Sequence, residues 1–481
     1  MAAAATVEGG RAPAPPPAAG RRWAPLLELL PPLLLVALGC VLLSAGQGLW
    51  FDELFTAEVV RLPLGDIVHA AVSGEGTTSY LAGIPPSYNA PYYVVAHLWT
   101  LLPGLGGDTS LRVLSLLAAA GGVALITRAV ARLAGRATGV LAGLALAANP
   151  LLLEQAVEAR SYGLAVLATG GALLGLVGHL QDRPRGLLLF GLAGAGMGLM
   201  HWYAVTVLAA FVAAAVLLRG RRALPVGAVG ALAALPTVAL VAMNLLNGTG
   251  GRNAEHLNDT GGRLADLAVE AWAGGRTPLL YLTVVLAVLG VVRGRGVRVV
   301  GACWVLVPLA LLLLAELVRP VYLPRYLLAG LLGLAVLAAA GALAAPRGAR
   351  SGVGAALVGF SLLAAAPLAD REPRETSDRL VEALASLHRP GEPVVGADLR
   401  SAMGLDHYVR TAAPQLRADL YLPPDDAPPE ATRVWLVRRE VRGEFLPTDD
   451  ADLLTDAGLS VSREWPFPGS KTNLVLQLWT R

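Results

Sequence analysis

About eleven apolar runs limit what this chain can fold into. They lie near 25–45, 110–127, 137–153, 162–180, 186–200, 203–218, 224–246, 278–292, 299–317, 326–344 and 352–368. A helix needs about 20 apolar residues to cross a hydrocarbon core, and runs of that size recur here too often for a soluble core. Charged residues make up only 15% of the chain, against about 25% in soluble domains. The expected fold class is an all-α polytopic membrane protein with a small carboxyl-terminal α/β domain. The first run resembles a secretory signal, but it is long, carries Glu28 and lacks a small-x-small site before Trp50. It is therefore read as a retained anchor.

Arginine sets the direction of the chain. One set of turns is short and basic: Arg128, Arg132 and Arg136; Arg183 and Arg185; Arg219, Arg221 and Arg222; Arg293, Arg295 and Arg298; Arg347 and Arg350. The alternate turns are mixed or acidic and hold Asp52, Glu53 and Glu58, Glu154 and Glu158, the loop 247–276, and Glu316 with Arg319 and Arg325. With the basic amino-terminal tail, the positive-inside rule makes the basic side cytoplasmic. An odd number of spans then puts the carboxyl end outside. Nearly all basic residues being Arg, with heavy Ala, Gly and Leu use, suggests a GC-rich bacterial genome and so a bacterial plasma membrane. The net charge of +3 says little about partners and calls for no nucleic acid.

Three parts are expected. Residues 1–24 read as a disordered cytoplasmic tail, 25–369 as a membrane domain that includes an extracytoplasmic loop over 47–109, and 370–481 as an extracytoplasmic α/β domain. In the last part, 378–388 reads as an amphipathic helix, and 392–397, 432–437 and 473–479 as strands. Cys40 and Cys303 fall inside apolar runs and read as core thiols. No dinucleotide fingerprint, phosphate loop, HExxH or paired-cysteine zinc motif is present.

The polar residues that invite chemistry gather on the outer side. Trp50-Phe51-Asp52-Glu53 follows the first run. Glu154, Glu158, Arg160 and Tyr162 surround a second turn, and the two glutamates share a helix face if the helix continues; Arg160 could pair with either. His201-Trp202-Tyr203 marks a third turn. Arg319 to Tyr326 sets two arginines and two tyrosines around Pro320 and Pro324 at the mouth of a run. The plain readings are a solvated turn, an interfacial aromatic belt and a headgroup-facing anchor. The chemical reading is a cavity with carboxylates in one part and arginines in another. A lipid-phosphate-linked sugar needs that division: cations for the phosphate leaving group and a carboxylate base for the incoming hydroxyl. One base without a nucleophile gives inverting displacement, whereas retention needs a second carboxylate as nucleophile.

On these motifs the chain resembles the GT-C superfamily of polyprenyl-phosphate-sugar-dependent glycosyltransferases. Within it the match is to the bacterial branch related to protein O-mannosyltransferases and the lipid A aminoarabinose transferase. The resemblance covers roughly residues 25–370 and rests on Trp50-Phe51-Asp52-Glu53, Pro91-Tyr92-Tyr93, His97-Leu98-Trp99, Leu111-Arg112-Val113-Leu114-Ser115, Glu158-Ala159-Arg160-Ser161-Tyr162 and Pro324-Arg325-Tyr326. The family's His-Pro-Pro is Asn89-Ala90-Pro91 here. The resemblance implies that Asp52 is the base, with Glu53 supporting it or holding the acceptor. It also implies that the donor is a polyprenyl-phosphate-linked sugar, mannose or another hexose or pentose, and that the acceptor is an extracytoplasmic glycan, lipid or protein. Arg160, Arg319 and Arg325 are the candidates for donor phosphate, with Glu158, Tyr162, His201 and Tyr326 lining the site. The loop with Arg252, His256 and Arg263 is expected to close over the donor. Asp52 and Glu53 could also help bind a divalent cation, which a lipid monophosphate donor does not require. A lipid or polysaccharide transporter or flippase is the alternative, and would call for mid-membrane polar residues and an internal repeat. A non-catalytic envelope-assembly protein is a third reading.

Overall fold

The structure is a computed structural model and describes residues 26–77, 90–247, 272–294, 296–318, 324–423, 431–441 and 443–481. Each apolar run is helical there: α1 (Leu30–Leu43), α5 (Asp108–Ala134), α6 (Arg136–Ala147) with α7 (Pro150–Ala156), α8 (Tyr162–Leu180), α9 (Gly186–Met200), α10 (Val205–Arg219), α11 (Leu224–Leu246), α12 (Thr277–Arg293), α13 (Arg298–Val318), α14 (Leu328–Ala344) and α15 (Arg350–Ala365). Among the described residues, seven stretches are long and apolar enough to cross a membrane, or eight if the α6–α7 pair, bent by 66°, is one span. Even with the bent pair counted, the number is eight and not eleven for two reasons. Helices α9 and α12 have only 15 and 17 residues, and α10 and α11 run on as one 45-residue stretch broken at Gly220, which sits at φ +55°.

The bend between α6 and α7 has a local cause. Pro150 cannot donate a backbone hydrogen bond, so it starts a helix and does not continue one. Asn149 caps the new helix through Leu152 N–H at 3.0 Å and donates to the Trp272 carbonyl at 2.9 Å. Helices α5 and α8 pack backbone to backbone. A Cβ at Gly163 would come within 2.1 Å of the Ser115 carbonyl oxygen, and one at Gly122 within 2.6 Å of Val166 backbone. Small residues permit this approach in membrane helix pairs. It brings Ser115 Oγ to 2.9 Å from the Arg160 carbonyl.

Three short helices lie between the first run and α5: α2 (Phe51–Val60), α3 (Leu64–Ser73) and α4 (Ala90–Thr100). In α2 every residue from Glu53 to Val60 is buried. Leu54, Phe55 and Val59 share one apolar cluster with Tyr92 and Tyr93 and with Leu380, Met403, Trp435 and Leu476 from the carboxyl-terminal region. Helix α2 is thus sandwiched between the membrane helices and the terminal domain.

That domain holds α16 (Ser377–Leu387), β1 (Val394–Gly396), α17 (Leu399–Ala412), β2 (Leu420–Tyr421), β3 (Arg433–Val441), β4 (Glu444–Phe445), α18 (Asp449–Asp456), β5 (Ser460–Phe467) and β6 (Asn473–Thr480). The strand order is β2-β1-β3-β6-β5, with β4 on β3; β1 runs parallel to β2 and β3, and β3, β6 and β5 are antiparallel. Side chains alternate across the sheet. Trp435, Val437, Leu476 and Leu478 face the cluster shared with α2, while Val434, Leu436 and Trp479 face α18.

A buried ion network latches α17 to the membrane-side helices. Glu58 on α2 takes Arg410 and, at 2.7 Å, Arg61; its Oε1 is 3.6 Å from His407 Nδ1. His407 Nε2 lies 3.1 Å from Asp108 at the start of α5, and Asp406 takes Arg417 and Arg410. Burial alone would lower the His407 imidazole, but its hydrogen bond to Asp108 and the charges of Asp108 and Glu58 raise it to about 9. The folded value lies above the ordinary 6.5, so this contribution is complete below about 6.5 and is lost as pH rises through about 9. Amide exchange over 399–412, corrected for intrinsic rate, should therefore be faster at pH 10 than at pH 7 in the wild type. In His407→Gln that difference should shrink, and equal protection of wild-type α17 at both pH values would refute the latch.

Candidate active site

The site is built on the first turn of α2. Trp50 is extended and caps the helix, so Asp52 and Glu53 occupy its amino-terminal turn, where helix polarity favours negative charge. Successive helical residues point about 100° apart, and the two carboxylates go to different surroundings. Glu53 turns inward. Its carboxylate accepts from Arg112 Nη2 at 2.5 Å and Nε at 2.8 Å, from Ala159 N–H at 2.8 Å, and reaches back to Trp50 N–H at 3.4 Å. Arg112 also donates to the carbonyls of Gln47 and Gly48 at 2.6 and 2.9 Å. Glu53 therefore ties together the end of the first run, α5 and the turn before α8.

Asp52 faces a cluster of guanidinium groups. Its Oδ2 is 3.4 Å from Arg325 Nη2, and the carboxylate is 19% exposed. Arg160 Nη1 donates to the Asp52 carbonyl at 3.2 Å and to Tyr93 Oη at 3.4 Å. Burial by itself raises the Asp52 carboxyl. The charges of Arg160, Arg325, Arg400 and Arg374 more than offset it and hold the group below its ordinary range, so Asp52 is ionised at neutral pH.

Beside Arg325 lies an aromatic group. The His201 ring is 5.0 Å from Tyr162, 5.8 Å from Tyr203 and 5.4 Å from Tyr326, and Tyr203 stacks on Tyr326 at 4.7 Å. The Arg325 guanidinium sits 5.8 Å from the Trp50 ring and 5.9 Å from that of Tyr326, within cation–π range. Residues from the α7–α8 turn, the α9–α10 turn and the turn before α14 thus meet in space. Arg319 and the loop residues Arg252, His256 and Arg263 lie outside the described residues.

Glu154 and Glu158 find a different partner from the one their spacing offers. Arg374, in the segment joining α15 to the sheet domain, lies 2.6 Å from Glu154 and 2.5 Å from Glu158 and stacks 4.3 Å above Trp50; Arg371 also pairs with Glu154. Arg160 is turned away because its N–H closes a tight turn onto the Glu158 carbonyl at 2.7 Å, which sends its side chain toward Asp52. Burial pushes the Glu158 carboxyl up to about 7; Arg374 opposes this, and the charges of Glu154 and Glu53 add to it. A cleft of about 620 Å³, its open mouth included, runs between Leu42, Glu154, Glu158, Leu368 and Arg371, with Trp50 on its wall; Asp52 does not line it. Among the described residues, no group of three or more His, Cys, Asp or Glu comes together to hold a metal ion.

Sequence reasoning missed Arg371, Arg374, Glu375 and Arg400. The signal was there for the first three: the charged string Asp370-Arg371-Glu372-Pro373-Arg374-Glu375 directly follows the last apolar run.

No family model matches the chain, and no curated protein matches it. Solved structures do. The chain is similar to ArnT from Cupriavidus metallidurans bound to undecaprenyl phosphate, with 14% identity and a TM-score of 0.56 over 95% of this chain and 98% of that one. The apo state of ArnT gives 14% identity and 0.50 over 92% and 97%. The arabinofuranosyltransferase AftD from Mycobacteria gives 16% identity and 0.52 over 96% of this chain and 40% of that one. The helical polytopic fold expected from the sequence, with its small terminal sheet domain, is the fold of the chain, and it is shared with these solved structures.

Proposed function

We propose that this protein is an integral membrane glycosyltransferase. It takes a pentose or hexose from a polyprenyl-phosphate donor and transfers it to an extracytoplasmic acceptor of the cell envelope. The observation that carries the reading is the ionised Asp52 carboxylate set against Arg325 and Arg160, in a fold shared with a protein that binds undecaprenyl phosphate. In this reading residues 1–24 are a cytoplasmic tail, 25–369 the membrane domain, and 370–481 the extracytoplasmic domain. The arginine alternation supports that orientation.

The reaction follows from the division of charge. Asp52 takes the proton of the acceptor hydroxyl as its oxygen bonds to the anomeric carbon. The bond from that carbon to the phosphate oxygen breaks, and polyprenyl phosphate leaves with the electron pair. Arg325 and Arg160 stabilise the leaving phosphate, and Tyr326 and His201 add hydrogen bonds. Glu53 acts as a positioning residue, since Arg112 and Ala159 N–H occupy its carboxylate. A single available carboxylate fits inversion. A base paired with Arg325 is a weak base, and donor binding resolves this. The phosphate competes for Arg325, and burial then lifts the Asp52 carboxyl toward a useful basicity.

Two measurements test the reading. Purified protein in lipid nanodiscs, given labelled polyprenyl-phosphate sugars and envelope lipids or glycans, should release free polyprenyl phosphate and form a labelled product. Movement of intact donor across a bilayer without cleavage would instead mark a flippase. In Arg325→Gln the acid limb of kcat/KM, which reports the free enzyme, should move to higher pH, because burial is no longer opposed by the nearest guanidinium. An unmoved acid limb with wild-type turnover would remove Arg325 from the site.

A further inference from the structure

We infer that Arg400, carried by the sheet domain, binds the phosphate of the lipid donor, so that the terminal domain completes the site around Asp52. This rests on the transferase reading above. Arg400 is the second residue of α17. Asp398 caps that helix, accepting from the N–H groups of Arg400 and Ser401 at 2.9 and 3.5 Å, and it is held in turn by Arg439 of β3 at 2.7 Å. The backbone under Arg400 is therefore clamped to the sheet. Its guanidinium lies 4.3 Å over the ring of Phe51, the residue before Asp52.

The neighbouring arginines are already engaged. Arg112 holds Glu53 and two carbonyls. Arg374 is shared between Glu154 and Glu158, and Arg160 is turned to the Asp52 carbonyl and Tyr93. Arg400 meets Glu375 at 3.5 Å, the outer limit of a hydrogen bond. The Glu375 carboxyl is pushed up to about 7 by burial, against the charges of Arg400 and Arg439 and with that of Asp52. Near neutral pH it cancels only part of the Arg400 charge. The Arg400 side chain is 35% exposed, and its planar fork of donors matches phosphate oxygens.

Charge balance supplies the reason for a further cation. The donor phosphate is a diester with one negative charge. When the sugar departs it becomes a monoester, whose charge approaches about −2 near neutral pH. Arg325 and Arg160, which also hold Asp52, meet only part of that change. A further guanidinium over Phe51, brought in by the sheet domain, meets the rest as it develops.

The alternative is a structural stack that only seats the sheet domain on α2. Full-length protein in nanodiscs, titrated with undecaprenyl phosphate at low and high salt, separates the two. Losing one charged hydrogen-bonding partner is expected to weaken binding in Arg400→Gln by about tenfold or more. The loss should be largest at low salt and should occur at an unchanged melting temperature. Arg400→Lys keeps the charge but loses the fork and the stack, and should bind between the glutamine variant and wild type. Wild-type affinity in the glutamine variant overturns the inference. So does a lysine variant that binds as poorly as the glutamine one and melts lower, since that pattern belongs to a structural stack. Failure of the wild type to bind undecaprenyl phosphate would instead sink the function proposed above.

Discussion

Asp52→Asn is expected to lower sugar transfer by about 10³-fold, in the middle of the range for loss of a general base, with insertion and melting temperature close to wild type. The amide keeps the shape of the carboxylate but cannot accept the acceptor proton, and Arg325 loses an anion it faces at 3.4 Å. Donor affinity should be retained or rise, because Arg325 is then free for phosphate. Initial rates from a labelled polyprenyl-phosphate sugar, with donor binding measured in parallel, check both parts. Wild-type turnover in Asp52→Asn would end its assignment as base. A fall in both binding and melting temperature would recast it as a structural anion.

The second large effect is on folding. Arg112→Met leaves Glu53, 1% exposed, without its ion partner. Breaking a buried pair in this way costs about 3–5 kcal/mol. The variant should melt well below wild type and yield less monodisperse protein. Adding Glu53→Gln removes the stranded charge, so the double variant should recover part of the loss, and a double-mutant cycle would report the coupling. A melting temperature unchanged by Arg112→Met would show that the pair does not hold the start of α2. The contrast matters for the adjacent carboxylates: Asp52→Asn should cost rate with little stability, whereas damage at Glu53 should cost stability first.

Much of this was legible because membrane helices are local objects. A run such as 162–180 satisfies its own backbone hydrogen bonds and declares itself by apolar length alone. The resemblance motifs could also be ordered along the chain, and Asp52, Arg160, Tyr162, His201, Arg325 and Tyr326 lie around one another in the structure. Their partners were harder to read. The Glu154–Glu158 spacing suggested a shared helix face, but α7 ends at Ala156 and both carboxylates turn to Arg374. The motif residue Arg112 proved to be the counterion of Glu53 across 59 residues, which no local spacing encodes.

Taken alone, the sequence determined that this chain crosses a membrane many times and ends in a small α/β domain, because apolar length is a property of contiguous residues. It also singled out Asp52-Glu53 as a pair but could not divide the two. Only the tertiary structure did that, since helix geometry points neighbouring side chains in different directions and burial then assigns each a partner. The placement of Arg374 against Glu154 and Glu158, and of Arg400 over Phe51, likewise came only from three dimensions. Charge complementarity acts over ångströms in space and carries no trace of separation along the chain.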